Sequence, residues 1–508
     1  MNENGFPSEN KPRSGISFSW VWVVSTVILC AAFVFASVPQ ALAQQDPGAS
    51  TALGQAESTQ KNRRNADTIL QVLNFVQRNY VEEVDSQALF EGAMTGLFNA
   101  LQDPHSSFLP ESDMRSMNNT TQGSFGGVGL FISKPARPDG SPAFIEVASP
   151  IEGTPGWRAG INPGDLIISI DGEPTDVLST EEVVSRLQGL PGLPVTLVIR
   201  RGERLEFPVT LTRAIIEVPT VRHAMIGDIG YVRILTFTPN TTDRVADAIA
   251  SFKENNFQSI IIDLRNNYGG LLDAAVGVSS LFLDGGVVVR IKPRNPADNN
   301  TLMTNRKAMV GPDVPIIVLI NRGSASASEI VAGALKDRGR AILVGERSFG
   351  KGSVQQVFPL GNAGFKITTA HYYTPNSVSI DKIGIYPDRM VTFPDFTDAD
   401  AEKLNRLIND NKIPPFVSEN PNATTAQIEA FAQSLEKEYG LDSTLIRRLI
   451  RNEQNRTVIA PEFDLEYDVQ LKEAVNILNS GNFRELLESA RSLQELQDQA
   501  LEESAQAS

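Results

Sequence analysis

Hydrophobic residues follow two different periods along this chain, and the change of period divides it into regions. From Ala66 to Tyr80 apolar residues recur every three or four positions, which predicts an amphipathic helix. We therefore expect residues 66–118 to form an N-terminal helical region. Residues 119–213 show short apolar runs between glycine-rich turns instead, a pattern typical of a small β-rich domain.

The next region alternates continuous apolar runs with helical patterns over residues 214–395. Ser259–Ile262, Ile316–Ile320 and Ala341–Val344 are predicted to be strands covered on both faces of a sheet. Helical spacing between such strands predicts an α/β domain. Residues 396–508 combine helically spaced Leu and Ile with many charges, which predicts a helical C-terminal region and a candidate surface for assembly.

The first 65 residues have the pattern of an export signal followed by a linker. Lys11 and Arg13 precede an apolar run over residues 16–38, and Ala41-Leu42-Ala43 offers a cleavage site. We expect a signal peptide over 1–43, a linker over 44–65 and an exported protein, periplasmic or otherwise extracytoplasmic. The alternative is an uncleaved membrane anchor over residues 16–38.

Composition and charge exclude several classes of protein. The 508 residues are 41% hydrophobic and 21% charged, as in ordinary globular proteins. The net charge of −15 argues against nucleic acid as a partner. One cysteine and three histidines argue against a metal centre, and no cofactor is expected.

A serine-rich segment over residues 321–329 follows one predicted strand and precedes a predicted helix. Ser326 and Glu329 fit a capping box, so a plain capped helix is one interpretation. The other is a nucleophilic serine whose oxyanion would be stabilised by the helix N-terminus. Such a serine needs a base. His105, in Asp103-Pro104-His105-Ser106, lies too close in sequence to its neighbours for triad geometry, which leaves a lysine whose pKa is lowered.

Lys351 lies in a glycine-rich segment, Gly345–Ser353, that fits three motifs. A phosphate-binding loop is disfavoured because Gly352 stands where a Ser or Thr is needed. A Ser348-x-x-Lys351 motif of penicillin-binding enzymes lacks its companion motifs. Lys351 as the base for a distant serine remains, beside the alternative of a surface lysine in a glycine turn.

Two further glycine segments are candidates for binding. Asp263–Gly270 ends an apolar strand, and its N–H groups could bind an oxyanion or form a plain turn. Gly126-Gly127-Val128-Gly129 runs into a strand and could present N–H groups to a peptide's terminal carboxylate.

Taken together and in order, these segments resemble the C-terminal processing peptidases, serine proteases that carry an inserted PDZ domain. The resemblance covers about residues 66–390 and is carried by seven segments of the sequence: Asp103–Phe108, Gly123–Gly129, Ala159–Ile161 with Gly164-Asp165, Asp263–Gly270, Ser324–Glu329, Phe349–Gln355 and Gly384–Asp388. It implies an α/β core like the crotonase and Clp-type fold, a β-rich PDZ domain over 119–213, and helical N- and C-terminal regions.

The resemblance also implies roles for individual residues. Ser326 would be the nucleophile, Lys351 the base 25 residues later and Gln355 the residue that orients the lysine. The N–H groups of Ala327 and of Gly269 or Gly270 would form the oxyanion hole. Gly126, Gly127, Val128 and Gly129 would bind the C-terminus of a substrate.

Three residues in the loops depart from the family pattern. Tyr268, Ser348 and Asn376 stand where the family commonly has other residues.

The expected partners are peptides with apolar C-termini. An activating adaptor lipoprotein is a candidate partner, and self-association through the terminal helices is expected as well. The rivals are a non-catalytic PDZ adaptor and a β-lactam-binding acyltransferase.

Overall fold

The computed structural model describes residues 52–134, 143–202, 204–392, 397–455 and 462–507. The chain divides into two compact units, residues 1–92 and 93–508. The described chain begins with helices α1 (Ala52–Asn79) and α2 (Ser86–Asn99). Helix α1 begins at Ala52, within the linker predicted for residues 44–65.

The predicted export signal lies outside the described residues. Among the helices of the described ranges, none is both long enough and apolar enough to cross a membrane.

A β-rich domain is inserted after strand β1 (Ser107–Leu109) and helix α3 (Glu111–Gln122). Strands β2 (Ser124–Gly127) and β9 (Ala214–Glu217) pair antiparallel at its entrance and exit. Between them follow β3 (Leu130–Ser133), β4 (Ile145–Pro150), α4 (Pro155–Arg158), β5 (Leu166–Ile170), β6 (Glu173–Pro174), α5 (Thr180–Leu187), β7 (Pro194–Arg201) and β8 (Leu205–Thr212).

The sheet of this domain has the order β3-β4-β5-β7-β8, with β6 beside β5. Alternating apolar residues such as Ile145, Ile167 and Leu197 are buried in one cluster on its inner side. Strand β3 is at the edge of the sheet, so its outer N–H and C=O groups are available to another strand.

The α/β domain that follows contains two sheets. Its elements are β10 (Val221–Ile226), β11 (Ile229–Ile234), α6 (Thr241–Glu254), β12 (Ser259–Asp263), α7 (Leu272–Phe282), β13 (Val287–Pro293), a 3₁₀ turn at Pro296–Asp298, β14 (Asn300–Met303), β15 (Ile316–Ile320), α8 (Ala327–Asp337), β16 (Ile342–Gly345), β17 (Ser353–Leu360), β18 (Ala363–Tyr373) and β19 (Arg389–Met390).

The main sheet has the order β10-β11-β12-β15-β16-β19 and is parallel except for the β10–β11 pair. Every residue of β12 and β15 is buried. Successive side chains point to opposite faces, so Ile260 and Ile316 pack with helix residues on one face while Ile261 packs in a separate cluster on the other. This confirms the prediction of strands covered on both faces.

The second sheet joins the N-terminal segment to the end of the domain. Its order is β1-β18-β13-β14, and β17 also pairs with β18. Ser107 lies opposite Lys366 and Phe108 opposite Phe365. This pairing brings the segment that starts at Asp103 beside strands β17 and β18.

The C-terminal region is helical, as predicted. Its helices are α9 (Asp398–Asn409), α10 (Ile413–Glu419), α11 (Thr425–Tyr439), α12 (Ser443–Gln454), α13 (Val469–Asn479), α14 (Phe483–Glu488) and α15 (Leu493–Ala507). Residues of α9 to α12 form their own apolar cluster. Helix α13 instead packs on the main sheet, where Leu471 joins the cluster around Ile261.

The parallel order places three of the predicted motifs at one edge of the main sheet. Asp263 pairs with Leu319, and Ile320 pairs with Gly345, so the loops after β12, β15 and β16 leave the sheet side by side. The carboxyl ends of neighbouring parallel strands are where α/β proteins place their binding sites.

Candidate active site

Ser326 lies where the loop after β15 turns into helix α8. Its backbone has φ 56° and ψ −114°, a positive φ that non-glycine residues rarely adopt. Strain of this kind costs of order 1–3 kcal/mol and persists only where the surrounding structure enforces it. The residue is partly exposed.

The two neighbouring serines are committed to the structure. Ser324 is buried, and its hydroxyl donates to the Leu264 carbonyl at 2.8 Å and accepts from the Asn321 N–H. Ser328 is buried as well and donates to the Asn267 carbonyl at 2.8 Å. Both hydroxyls hold the loop after β15 against the loop after β12, which leaves Ser326 as the serine of this segment that is accessible to a substrate.

Lys351 lies in the loop between β16 and β17 and is partly buried. Burial lowers the pKa of its amine, and the like charge of Lys366 lowers it further. The carboxylates of Glu329 and Asp103 act in the opposite direction, but the net shift of the Lys351 pKa is downward. A lysine in this setting has a larger neutral fraction near neutral pH than an exposed one, as a general base requires.

The Ser326 side chain and the Lys351 backbone are joined through a tyrosine in this structure. The buried Tyr372 hydroxyl donates to the Lys351 carbonyl and is hydrogen-bonded to the Ser326 side chain. Within the described ranges no hydrogen bond links Ser326 Oγ directly to Lys351 Nζ. Catalytic hydrogen bonds often form only with substrate bound. Tyr372 could not be identified from the sequence, because its place beside Ser326 depends on the pairing of β18.

Among the described residues, no hydrogen bond joins Gln355 to Lys351. Its Nε2 donates to Ser353 Oγ at 2.8 Å and to Thr368 Oγ1 at 3.2 Å. The Thr368 hydroxyl in turn donates to the carboxylate of Asp103 at 2.6 Å. Because that hydroxyl proton is already committed, Thr368 can only accept from Gln355, which fixes the amide with Oε1 free to accept a further hydrogen bond.

The Asp103 segment is part of this network and does not form a triad of its own. Burial works to raise the pKa of Asp103, but hydrogen bonds from Ser106, Thr368 and the His105 N–H outweigh it and lower that pKa to about 2. Ser106 donates directly to Asp103 at 2.5 Å, so no histidine stands between them. Burial and the charge of Lys351 lower the pKa of His105.

Glu329 holds the two candidate loops together. Its Oε2 accepts from the N–H of Ser326 at 2.8 Å and from the N–H of Lys351 at 2.9 Å. Its Oε1 accepts from the Ser348 hydroxyl at 2.5 Å and from the Gly350 N–H at 2.7 Å. Burial raises the pKa of this carboxyl, which is 1% exposed, and the four donors oppose that shift.

The paired glycines after β12 pack directly against Ser326. A Cβ on Gly269, whose φ is 105°, would lie 2.8 Å from the Ser326 Cβ. The Gly269 N–H already donates to Asn267 Oδ1 at 2.9 Å. By contrast, the N–H groups of Gly270 and Ala327 have no acceptor among the described residues, so these two can serve an oxyanion.

The predicted peptide-binding segment spans the entrance of the inserted domain. Gly126 and Gly127 belong to β2, whereas Val128 and Gly129 form the turn into the edge strand β3. A Cβ on Gly129, with φ 76°, would lie 2.3 Å from Thr154 Cβ, so the turn requires glycine. The Val128 and Gly129 N–H groups make no hydrogen bond within the described part of the chain.

Two alternative interpretations of Lys351 are contradicted by the structure. A phosphate-binding loop leads into a helix, but Lys351 leads into strand β17. The Ser348-x-x-Lys351 motif needs a helix, and residues 346–352 are not helical. No group of three or more His, Cys, Asp or Glu side chains that could hold a metal occurs within the described ranges.

Three family models match this chain. Peptidase family S41 matches residues 228–391, the PDZ domain matches residues 146–201, and the activating protease CtpB N-terminal domain matches residues 27–112.

Relatives with known names resemble it over much of their length. The carboxy-terminal-processing protease of Bartonella bacilliformis is 41% identical over 326 residues, 63% of this chain and 73% of that protein. The carboxyl-terminal-processing protease of Synechocystis sp. is 36% identical, over 59% of this chain and 71% of that protein. A solved structure titled photosystem II D1 C-terminal processing protease has 32% identity and a TM-score of 0.38, covering 64% of this chain and 92% of that chain.

The protein is thus a serine-type peptidase with an α/β core and an inserted PDZ domain. The chain belongs to the carboxy-terminal-processing proteases of peptidase family S41. The predicted fold class and enzyme class are confirmed. The domain boundaries and the roles of the site residues stay predictions.

Proposed function

We propose that this chain is an exported serine endopeptidase that cleaves peptide bonds with Ser326 as nucleophile and Lys351 as general base. The observation that carries the proposal is the position of Ser326. It is the accessible serine of its segment, it lies at a helix N-terminus, and it shares the carboxylate of Glu329 with Lys351.

The neutral Lys351 amine takes the proton of the Ser326 hydroxyl as Oγ bonds to the substrate carbonyl carbon. The C–N bond then breaks, the departing amine receives the proton from Lys351, and an acyl-enzyme remains. Water, deprotonated by the same lysine, then attacks the ester. The C–O bond to Ser326 breaks, Ser326 Oγ takes the proton back from Lys351, and the product leaves as a carboxylic acid that ionises in water. For the lysine to act, its neutral amine must come within hydrogen-bond distance of Ser326 Oγ, with Gln355 Oε1 as a partner that orients it.

The oxyanion of the tetrahedral intermediate would accept from the N–H groups of Gly270 and Ala327. Of the two paired glycines Gly270 is favoured, because the N–H of Gly269 is already bound to Asn267. Removal of one such donor typically lowers the rate by about 10²–10³-fold.

Substrates would be held by their C-termini on the PDZ domain. The terminal carboxylate would accept from the N–H groups of Val128 and Gly129, while the peptide adds as a strand to the free edge of β3. An apolar terminal residue fits this mode, and binding there would gate the active site.

Export and assembly are further parts of the proposal. The basic residues, apolar run and Ala41-Leu42-Ala43 of the N-terminus support an exported enzyme, with cleavage after Ala43. An activating adaptor lipoprotein and self-association through the terminal helices are proposed partners. The N-terminal sequence of the protein recovered from fractionated cells tests the export proposal.

The catalytic proposal is tested by Ser326→Ala and Lys351→Ala in a cleavage assay with an unfolded protein such as casein. Both variants should lose cleavage while keeping the thermal transition of the wild type, and chelators should not affect the wild type. Cleavage that survives in Lys351→Ala but is lost in Ser324→Ala would overturn the assignment.

A further inference from the structure

Glu329 has a set of contacts that a helix cap does not need. A capping residue at the third position of a helix accepts one hydrogen bond, from the N-cap N–H. Glu329 makes that contact with Ser326 and three more, with Ser348, Gly350 and Lys351 in a loop that follows a different strand. The carboxylate is therefore a junction between the loops after β15 and β16.

All four partners are donors toward Glu329, three of them backbone N–H groups that cannot reverse. A carboxylate offers acceptor positions on both oxygens, and here each oxygen takes two donors. The Ser348 oxygen also accepts from the Ile385 N–H at 2.7 Å, while its proton is directed at Glu329. The ionised carboxylate can accept from all four donors at once.

The two contacts on Oε2 fix the backbone of the proposed nucleophile and of the proposed base relative to one another. Ser326 is held there in its strained positive φ. The loop that carries Lys351 is also restricted. Gly350 has φ 92°, and a Cβ at this position would lie 2.9 Å from the Gly384 nitrogen, so few other conformations of this loop would keep its hydrogen bonds to Glu329.

We propose that Glu329 is a positioning residue for peptide hydrolysis, whose carboxylate sets the distance between Ser326 and Lys351 by binding both of their N–H groups. This inference rests on the proposed function of those two residues. Glu329 touches no substrate and transfers no proton in the reaction. Its loss would let the two loops move apart and would act on the chemical step.

The chain itself supplies the comparison that separates positioning from capping. Helix α11 begins with the same box, in which Thr424 N–H donates to the amide oxygen of Gln427 at 2.9 Å. Glutamine is thus a sufficient cap. Glu329→Gln can keep the cap on Ser326, but its amide nitrogen must then face the donors on the other oxygen, so at least one N–H of the Lys351 loop loses its acceptor.

The experiment measures kcat and KM for a quenched-fluorescent peptide with an apolar C-terminus, together with the thermal transition of the full chain. We expect Glu329→Gln to lower kcat about 10²-fold with KM within about twofold, since small misplacements of reacting groups have effects of this size. The matched control is Glu495→Gln, which alters an exposed capping contact to the Ser492 N–H at 2.8 Å and should behave as wild type.

Wild-type kcat in Glu329→Gln, with Ser326→Ala inactive, would overturn the positioning role alone. Activity in Ser326→Ala or Lys351→Ala would instead overturn the proposed function beneath it. A Glu329→Gln effect on KM with kcat unchanged would also contradict the proposal. If Glu329→Gln does not fold, the Ser348→Ala variant tests the positioning role instead. It removes one donor from Oε1 and should lower kcat several-fold, and an unchanged kcat in this variant would overturn the proposal.

Discussion

Lys351 can act as a base only while its amine is uncharged, so its electrostatic surroundings determine the pH range of activity. Burial and Lys366 lower its pKa, and Glu329 and Asp103 oppose them. As pH rises through this lowered pKa, the neutral fraction of the base grows. The rate of cleavage should therefore rise over a range that lies below the titration of an ordinary lysine.

Replacing Lys366 by glutamine should move this pH dependence in a known direction. Removal of a like charge favours the charged form of Lys351, which raises its pKa, so the rising limb of kcat/KM should shift to higher pH. Lys307→Gln is the matched control, since Lys307 is exposed and is not among the groups that act on Lys351. If the rise of kcat/KM with pH shifted equally in both variants, the proposed effect of Lys366 on the Lys351 pKa would be contradicted.

At the residue scale the sequence supplied candidates, and the structure supplied contacts between them. The segment 321–329 suggested Ser326, and the structure separates it from Ser324 and Ser328 by their buried hydrogen bonds. The contacts of Tyr372, and those of Glu329 with the Lys351 loop, could not be predicted, because they join segments about 20 to 45 residues apart that meet only in the folded chain.

At the scale of elements, the loop after β12 depends on two glycines for different reasons. Gly269 lies against Ser326, whereas Gly270 lies against the backbone of Phe237, where a Cβ would be 2.1 Å from the carbonyl oxygen. The N–H of Phe237 also donates to the Gly269 carbonyl at 3.0 Å, which fixes the loop beside this residue.

Gly270→Ala should therefore lower both activity and stability. The new methyl group would clash with backbone, and the φ of 139° is one that L side chains rarely adopt, so we expect a loss of stability of about 1–3 kcal/mol and cleavage reduced at least about 10²-fold. Urea denaturation and the peptide assay measure the two effects. Gly361→Ala, with φ 63° but nothing within 4 Å of its Cβ, should keep full activity. Full activity in Gly270→Ala would show that cleavage does not require this conformation of the loop after β12.

Most elements of the core could be predicted because their apolar runs leave few alternatives. Ile316–Ile320 has the same bounds in the structure as in the prediction. The helical conformation of residues 52–65 was not predicted, because a largely polar stretch can form a helix without the apolar periodicity that would reveal it.

At the scale of the whole molecule, a buried ionic cluster attaches the C-terminal region to the loop that carries the glycines. Arg265 donates to Asp263 at 2.6 Å and to Asp468 at 2.6 Å, and its side chain is 9% exposed. Asp263 also accepts from the buried Tyr231 hydroxyl at 2.8 Å. The start of helix α13 is in this way bonded to the end of strand β12.

Arg265→Met should destabilise the protein by about 3–5 kcal/mol, because it leaves two carboxylates without their buried partner. The midpoint of urea unfolding measures this. Arg451→Met is the control, since it breaks an exposed pair with Glu466 that contributes about 0–1 kcal/mol. Equal effects of the two variants would mean that the cluster does not hold the C-terminal region to the core.

The sequence predicted a helical C-terminal region but not the ion pair that attaches it to the α/β domain. Asp468 and Arg265 are separated by 203 residues, and nothing in the local pattern of either segment indicates the other. Ion pairs between residues so far apart in sequence can be identified only once the order of the strands in the sheet is known.

The central claim is that Ser326 carries the acyl group during turnover. It is tested by quenching the enzyme with acid during hydrolysis of a peptide ester and locating the covalent adduct by tandem mass spectrometry. The account predicts an acyl group on Ser326, absent from Lys351→Ala under the same conditions. An adduct on Ser324 or Ser328, or continued turnover with Ser326 replaced by alanine, would contradict it.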